Sequence, residues 1–277
     1  MSLSLPQSET LDLDLSADGW LTIAFNRPAA RNALSHEMST ALTATLLAVR
    51  GERSVRGITF KGRGNIFCAG GDLKEFANAL TPGPADEKRA NIIAMNKAGG
   101  ELFALVDTIP QFTLALIEGA AIAGGLGLAC CVDNVAVTKD AKFSLTETQL
   151  GIIPAQIAPY VVRRFGICNA RRLMLTGARF KGEEAKSLGL ADHVAAGAEQ
   201  LSNYEAQIRR QVLTCGPNAN ALTKHLLHEV ETLSAEHMQA FAAEQFATAM
   251  TSEEGREGLS AFIAKRKPSW HAEVQGS

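Results

Sequence analysis

Two stretches carry the residues whose types and spacing can do chemistry. Gly119 to Ala129 reads Gly-Ala-Ala-Ile-Ala-Gly-Gly-Leu-Gly-Leu-Ala and follows an apolar run, Thr113 to Ile117. Phe143 to Pro154 reads Phe-Ser-Leu-Thr-Glu-Thr-Gln-Leu-Gly-Ile-Ile-Pro and carries a lone carboxylate, Glu147. Backbone N–H groups where a glycine-rich turn opens a helix can hold an oxygen that gains negative charge. A carboxylate among apolar neighbours resists ionisation and can move a proton. The pair suits a reaction in which charge appears on an oxygen while a proton moves nearby.

Each stretch also has a plainer reading. The glycines of 119–127 fit close packing of a helix on a sheet. They do not make a nucleotide loop: Gly125-Leu126 follows Gly124 where a phosphate loop needs Lys-Ser/Thr, and Cys130 stands where a dinucleotide fingerprint needs its last glycine. Glu147 alone fits a helix cap or an ion pair. Cys68-Ala69-Gly70-Gly71-Asp72 is a second small-residue turn with Asp72 as a helix N-cap. Two such turns can each lend one N–H to a single oxygen.

The basic clusters Arg163-Arg164, Arg171-Arg172 and Lys265-Arg266-Lys267 read as solvated helix faces, the alternative being phosphate contact. Cys130-Cys131 reads as core packing. The six histidines show no spacing that requires a metal.

Elements must position these groups. Leu11, Leu13 and Leu15, then Leu21, Ile23 and Phe25, alternate about an Asp18-Gly19 turn, which predicts a hairpin. Leu34, Met38, Leu42, Leu46 and Val49 recur at helical spacing. Ile58 to Phe60, Thr113 to Ile117 and Asn134 to Thr138 read as strands, and Gly124 to Cys130 as a helix, in a β-α-β rhythm. Asn78 to Asn91, with Thr-Pro-Gly-Pro inside it, reads as a mobile loop, and helix resumes around Ile92 to Val106. Twenty of the 24 glycines lie at or before residue 197, and helical patterns fill the rest. The reading is a strand-rich core over 1–197 and a helical C-terminal region over 198–277.

The totals narrow the class. A chain of 277 residues with 46% apolar residues can bury a sizeable core. A net charge of −2 gives no electrostatic footprint for a nucleic acid. Five cysteines without a Cys-x-x-Cys pair support neither a disulfide framework nor a zinc site and fit a reducing, cytoplasmic setting. Met1 to Thr10 shows no signal-peptide pattern. The run Phe112 to Val132 is long enough for a membrane but holds Glu118 and four glycines, so no span is expected.

Taken together, the motifs resemble the crotonase, or enoyl-CoA hydratase/isomerase, superfamily. The resemblance rests on Asn26-Arg-Pro28 with Asn32-Ala-Leu34, Phe67 to Lys74, Gly119 to Asp133 and Phe143 to Pro154. It continues through Leu175-Thr-Gly177, Ala185 to Leu190 and Phe262 to Lys267. It implies an α/β fold: a β-β-α spiral core with a C-terminal helical region that builds trimers, often paired into hexamers. It implies an acyl-CoA thioester substrate, coenzyme A arriving as part of it, and no other cofactor. It places the oxyanion hole on the N–H groups of Gly71 and Gly124, the proton-moving carboxylate on Glu147 and the CoA adenine near Ala69. Lys74 joins the substrate-binding residues, and Phe262 and Lys265 of a neighbouring subunit close over the nucleotide end.

One departure stands out. Two-glutamate hydratases carry a catalytic carboxylate where this chain has Gly127. The flanks, Leu126-Gly-Leu128 and Gly151 to Tyr160, look most like bacterial hydratases of branched glutaconyl-CoA thioesters, the 3-methylglutaconyl-CoA type of leucine breakdown and the isohexenylglutaconyl-CoA type of acyclic terpene breakdown. Gln156 replaces a glycine common in relatives and either holds water or narrows the pocket. The resemblance leaves three readings: a hydratase of a branched 2-enoyl-CoA, a Δ3-Δ2 enoyl-CoA isomerase using one glutamate, or a CoA- or RNA-binding scaffold without catalysis. Retention of Glu147 and the balanced charge favour an enzyme.

Overall fold

A computed structural model describes residues 3–81 and 83–271. The predicted hairpin is β1 (Leu11–Leu15) against β2 (Trp20–Phe25), with Leu13 opposite Ile23. Its turn needs Gly19, which holds φ +83; a Cβ there would stand 2.0 Å from the Ser54 carbonyl oxygen.

From β2 onward the main sheet is parallel. β3 (Gly57–Gly62) pairs with β2, β4 (Phe112–Ile117) with β3, β6 (Asn134–Thr138) with β4, and β9 (His193–Ala195) with β6. Parallel strands need both faces covered, hence the near-continuous apolar run of β4. Helix α1 (His36–Arg50) covers one face; Met38, Leu42, Leu46 and Val49 are fully buried along its stripe. Ser35 caps it, its hydroxyl accepting from the Met38 N–H at 3.2 Å. Helix α7 (Ala198–Thr214) covers part of the other face through Leu201, Ile208 and Val212.

A second, smaller sheet holds β5 (Ala120–Ile122), β7 (Lys142–Ser144) and β8 (Phe180–Lys181). The β5–β7 pair is parallel. Two helices border the space beside it, α2 (Leu73–Ala79) and α4 (Gly124–Cys131).

The segment read as a mobile loop over 78–91 is mostly helix. Helix α3 spans Ala85–Thr108, so it begins before Ile92. Pro84 occupies its N-cap, and Asp86 and Glu87 in the first turn favour the positive helix end. The prolines delay this helix rather than abolish it; Pro82 lies outside the described residues.

The C-terminal region is helical as read. After α5 (Ala158–Thr176), α6 (Gly182–Ser187) and α7 come α8 (Pro217–Glu229), α9 (Ala235–Thr251) and α10 (Glu253–Ile263). Lys224 on α8 ties this region to the core: its ammonium meets Asp133 at 2.8 Å, and Asp133 also accepts the Thr113 N–H that opens β4. No helix among the described residues is long and apolar enough to cross a membrane.

The basic pair Arg163-Arg164 departs from the solvated-face reading. Arg163 donates to Asp107 and lies 3.7 Å from Glu231, and Arg164 meets Asp192 at 2.8 Å. The kink at Gly166, φ +71, interrupts α5 close to both. A run of two arginines cannot reveal carboxylates that approach from Asp107 and Asp192, far away in sequence.

Candidate active site

Three chain segments run side by side in the same direction and end together. Cys68 bridges to Ala121 in parallel, and the Ile122 N–H donates to the Cys68 carbonyl at 2.9 Å. On the other side of β5, Ile122 pairs with Ser144. Parallel pairing puts the exits of all three at one edge, as binding edges of α/β sheets require. Gly70-Gly71 leaves the first, Ala123-Gly124 the second, and Glu147 follows the third.

The two glycine turns nearly touch. A Cβ built on Gly124 would stand 3.7 Å from the Gly71 nitrogen, and one on Gly70 only 3.2 Å from the Gly124 nitrogen. No backbone hydrogen bond in the surrounding turns uses the Gly71 or Gly124 N–H among the described residues. The neighbouring groups are spent otherwise: Asp72 N–H reaches Leu34, and Ala123 N–H reaches Ser144 at 2.8 Å. Ala123 holds φ 50 and ψ −123, a costly conformation for a residue with a Cβ. That twist turns the chain sharply from β5 into α4, with Gly124 as the first helical residue and its N–H at the positive helix end. Asp72 caps α2 as read, its carboxylate accepting the Lys74 N–H at 3.0 Å and meeting Arg27 at 3.1 Å.

Aromatic rings border the glycines. A Cβ on Gly71 would lie 2.5 Å from the Phe76 ring, and one on Gly124 lies 3.7 Å from the Phe103 ring. Beneath the turn, burial pushes the Cys68 thiol up to about 12, so it stays neutral.

Glu147 opens a short 3-10 turn, Glu147–Leu150, and is 9% exposed. Its Oε2 is buried without a hydrogen-bond partner among the described residues. Burial raises the carboxyl above its ordinary 4.5, while a bond to its own backbone N–H pulls the other way. A desolvated carboxylate with Oε2 unpartnered and no ion pair among the described residues fits neither of the two plainer readings of this residue.

Gly127 is filled rather than empty. A Cβ there would stand 2.2 Å from Cγ2 of Ile157 and 2.7 Å from its Cβ. A glutamate at 127 cannot coexist with Ile157 in this position. Gln156, the preceding residue, meets a different glycine. Its Oε1 lies 2.2 Å from where a Gly100 Cβ would stand, and its Nε2 donates to Asn96 Oδ1 at 2.8 Å. Gln156 therefore leans on α3, and Ile157 on α4.

The other predicted residues are more scattered. Ala69 lies in the first turn, its N–H donating to Arg31 at 3.0 Å, and Lys74 is exposed on α2. Phe262 stands 83% exposed on α10, which packs against α8 and α9, and Lys265 follows the helix with φ 52. The C-terminal pair is not gathered with the glycine turns through any of the main helix contacts of this chain. Sequence reading missed Ile157, Phe76, Phe103 and Asn96. Only the Gly127 departure hinted at Ile157, since a lost side chain leaves volume for another.

One further cavity gathers charged groups, and its main charges are already paired. A cavity of about 390 Å³ behind α4 is lined by Asp107, Asp133, Arg163, Lys224 and His228. Arg163 pairs there with Asp107, and Lys224 with Asp133. Among the described residues no three His, Cys, Asp or Glu side chains converge on a metal position.

The architecture is that of an acyl-thioester enzyme built on a crotonase fold. Residues 16–273 match the enoyl-CoA hydratase/isomerase family model, and the chain belongs to that family. It is 34% identical over 253 residues to a Thermus thermophilus protein named as an enoyl-CoA hydratase, covering 90% of this chain and 97% of the relative. Among solved structures, Pseudomonas aeruginosa AtuE is 46% identical with a TM-score of 0.90, over 95% of this chain and all of the other. An enoyl-CoA hydratase/isomerase from Marinobacter aquaeolei is 40% identical, also at TM-score 0.90 and 95% coverage of this chain.

Proposed function

We propose that the protein hydrates a branched 2-enoyl-CoA of the glutaconyl type, 3-methylglutaconyl- or isohexenylglutaconyl-CoA, in leucine or acyclic terpene breakdown. The observation that carries this reading is Glu147 Oε2, buried and unpartnered on the same sheet edge as the two open glycine N–H groups. The thioester oxygen lies between the N–H groups of Gly71 and Gly124. Water adds at C3 while the Glu147 carboxylate accepts one of its protons. The C2=C3 electron pair moves into an enolate whose oxygen the two N–H groups hold. When the enolate collapses, the protonated Glu147 delivers the proton to C2. Charge on that oxygen is greater in the transition state than in the bound substrate, so the two donors act where binding accelerates the step.

Ala69 receives the adenine end of the substrate, with Lys74 nearby on α2. The partner subunit's Phe262 and Lys265 complete the nucleotide end in a homotrimer or a hexamer of two trimers. The support is their exposure at the end of α10, away from their own chain's core. Coenzyme A enters only as part of the substrate.

The Gly127–Ile157 contact favours a second reading, Δ3-Δ2 isomerisation. A single carboxylate can carry a proton between C4 and C2 without a second group to position water. Mass spectrometry of products from crotonyl-, 3-methylglutaconyl-, isohexenylglutaconyl- and a 3-enoyl-CoA separates the two. Gain of one water on a glutaconyl thioester supports the hydratase. A mass-neutral shift of the double bond, with no gain of water, overturns it in favour of the isomerase.

A further inference from the structure

We propose that Ile157 is the specificity-determining residue at the substrate's β-carbon: it sets the room open to a substituent there and favours an apolar branch. This rests on the acyl-thioester reading of the glycine turns. Three observations carry it.

The first is position. Gly127 lies one helical turn beyond Gly124 on α4, about 4.5 Å along the axis. An oxygen held at the Gly124 N–H puts the β-carbon two bonds from the carbonyl carbon, beside this turn. Ile157 occupies this turn, with Cγ2 at 2.2 Å, Cβ at 2.7 Å and Cδ1 at 3.2 Å from the position of a Gly127 Cβ. Glu147, which must reach the same carbons, begins the loop that ends at Ile157. That loop is closed by the Ile152 N–H donating to the Glu147 carbonyl at 3.1 Å.

The second is rigidity. Ile157 caps α5, and its carbonyl accepts the Val161 N–H at 3.0 Å. Gln156 before it is fixed on α3 through Asn96 at 2.8 Å. A β-branched side chain has few rotamers, and this one is 3% exposed. It can move only if the hollow beneath it changes.

The third is chemistry. Ile157 offers no hydrogen bond, so the wall it builds suits a methyl or a longer apolar branch and not a second water.

The test is calorimetric binding of butyryl-CoA and 3-methylbutyryl-CoA to the full chain. Both are saturated and cannot react. Gly127→Ala places a Cβ in the hollow and pushes Ile157 outward. We expect it to weaken 3-methylbutyryl-CoA about tenfold more than butyryl-CoA, the worth of one misfitted methyl in an apolar pocket. The double variant Gly127→Ala/Ile157→Val is expected to regain most of that difference. Ile157→Val alone is expected to shift the preference a few-fold toward the branched ligand. Equal weakening of both ligands, no rescue in the double variant, or no binding of either ligand by the wild type overturns the proposal. If Gly127→Ala fails to fold by circular dichroism, Ile157→Val decides: an unchanged ratio overturns it. Correct discrimination without hydration of any thioester by the wild type sinks the hydratase reading and leaves this one standing.

Discussion

The Gly71 nitrogen lies 3.7 Å from the position of a Gly124 Cβ, although the two glycines come from different strand exits. Two backbone nitrogens from distant parts of the chain therefore lie close enough to face a single small acceptor, the arrangement the proposed reaction needs.

Gly124→Ala tests it directly. The new methyl meets its nearest neighbours at 3.7 Å, ordinary contact, so the fold tolerates it. It keeps the backbone N–H but crowds the space beside the Gly71 nitrogen, where the proposed reading puts the thioester oxygen. The expected outcome is a Tm close to wild type and a fall in kcat/KM of up to about 10²–10³, the cost of a lost oxyanion hydrogen bond if the methyl displaces the oxygen from its donor. Steady-state kinetics beside a thermal melt reads both, and unchanged kcat/KM would remove Gly124 from the site.

Glu147→Gln keeps the shape and removes the carboxyl proposed to carry the proton. Turnover is expected to fall by about 10²–10⁴. The acid limb of the wild-type pH–rate profile should lie above 4.5, because burial raises this carboxyl. Near-normal turnover in the variant would show that another group moves the proton.

The same substitution has an opposite effect on stability. A carboxyl with a raised folded pKa favours the fold while protonated. This contribution is fully present below the unfolded value and is lost as pH rises through the folded one. Glu147→Gln is therefore expected to raise Tm at pH 8, with the gain shrinking as pH falls to about 4. Thermal melts across that range decide it; a gain independent of pH would contradict the burial argument.

Gln156→Ala removes the bond to Asn96 and the contact over Gly100. The loop carrying Ile157 then loses its hold on α3. A rise in KM larger than the fall in kcat is expected, checked by steady-state kinetics. An effect confined to kcat would instead give Gln156 a part in the chemistry.

Arg163→Met leaves Asp107 without its main cation, since His228 Nδ1 is farther away at 3.6 Å. The expected loss is about 1.5–3 kcal/mol, typical of hydrogen bonds to charged groups. Urea unfolding measures it, and no change in midpoint would mean that solvent already screens the pair.

Periodicity made α1 and the first hairpin legible, because Met38, Leu42, Leu46 and Val49 obey one local rule. The glycine turns were legible for a similar reason: their residue types are tolerated only where backbone must come close. Glu147 stood out by its apolar flanks, and its unpartnered oxygen bears out the burial inferred from them. The α3 start was hidden because prolines dominate its approach, while Pro84 serves as its cap. The Arg163–Asp107 pair and the filling of Gly127 by Ile157 were not readable. Both depend on which distant segments meet, and a local pattern carries no information about that.

The parallel trio Cys68, Ala121 and Phe143 also bears on the order of folding. None of the three can find its neighbour through a short turn, so each pairing closes a long loop. Helices such as α1 can form early from local contacts. The Gly71–Gly124 juxtaposition exists only after the Cys68–Ala121 closure, and Glu147 joins it only after the Ala121–Phe143 closure. During refolding, activity should return after helical circular dichroism, and a chain that misregisters one strand should look native by helix content yet remain inert.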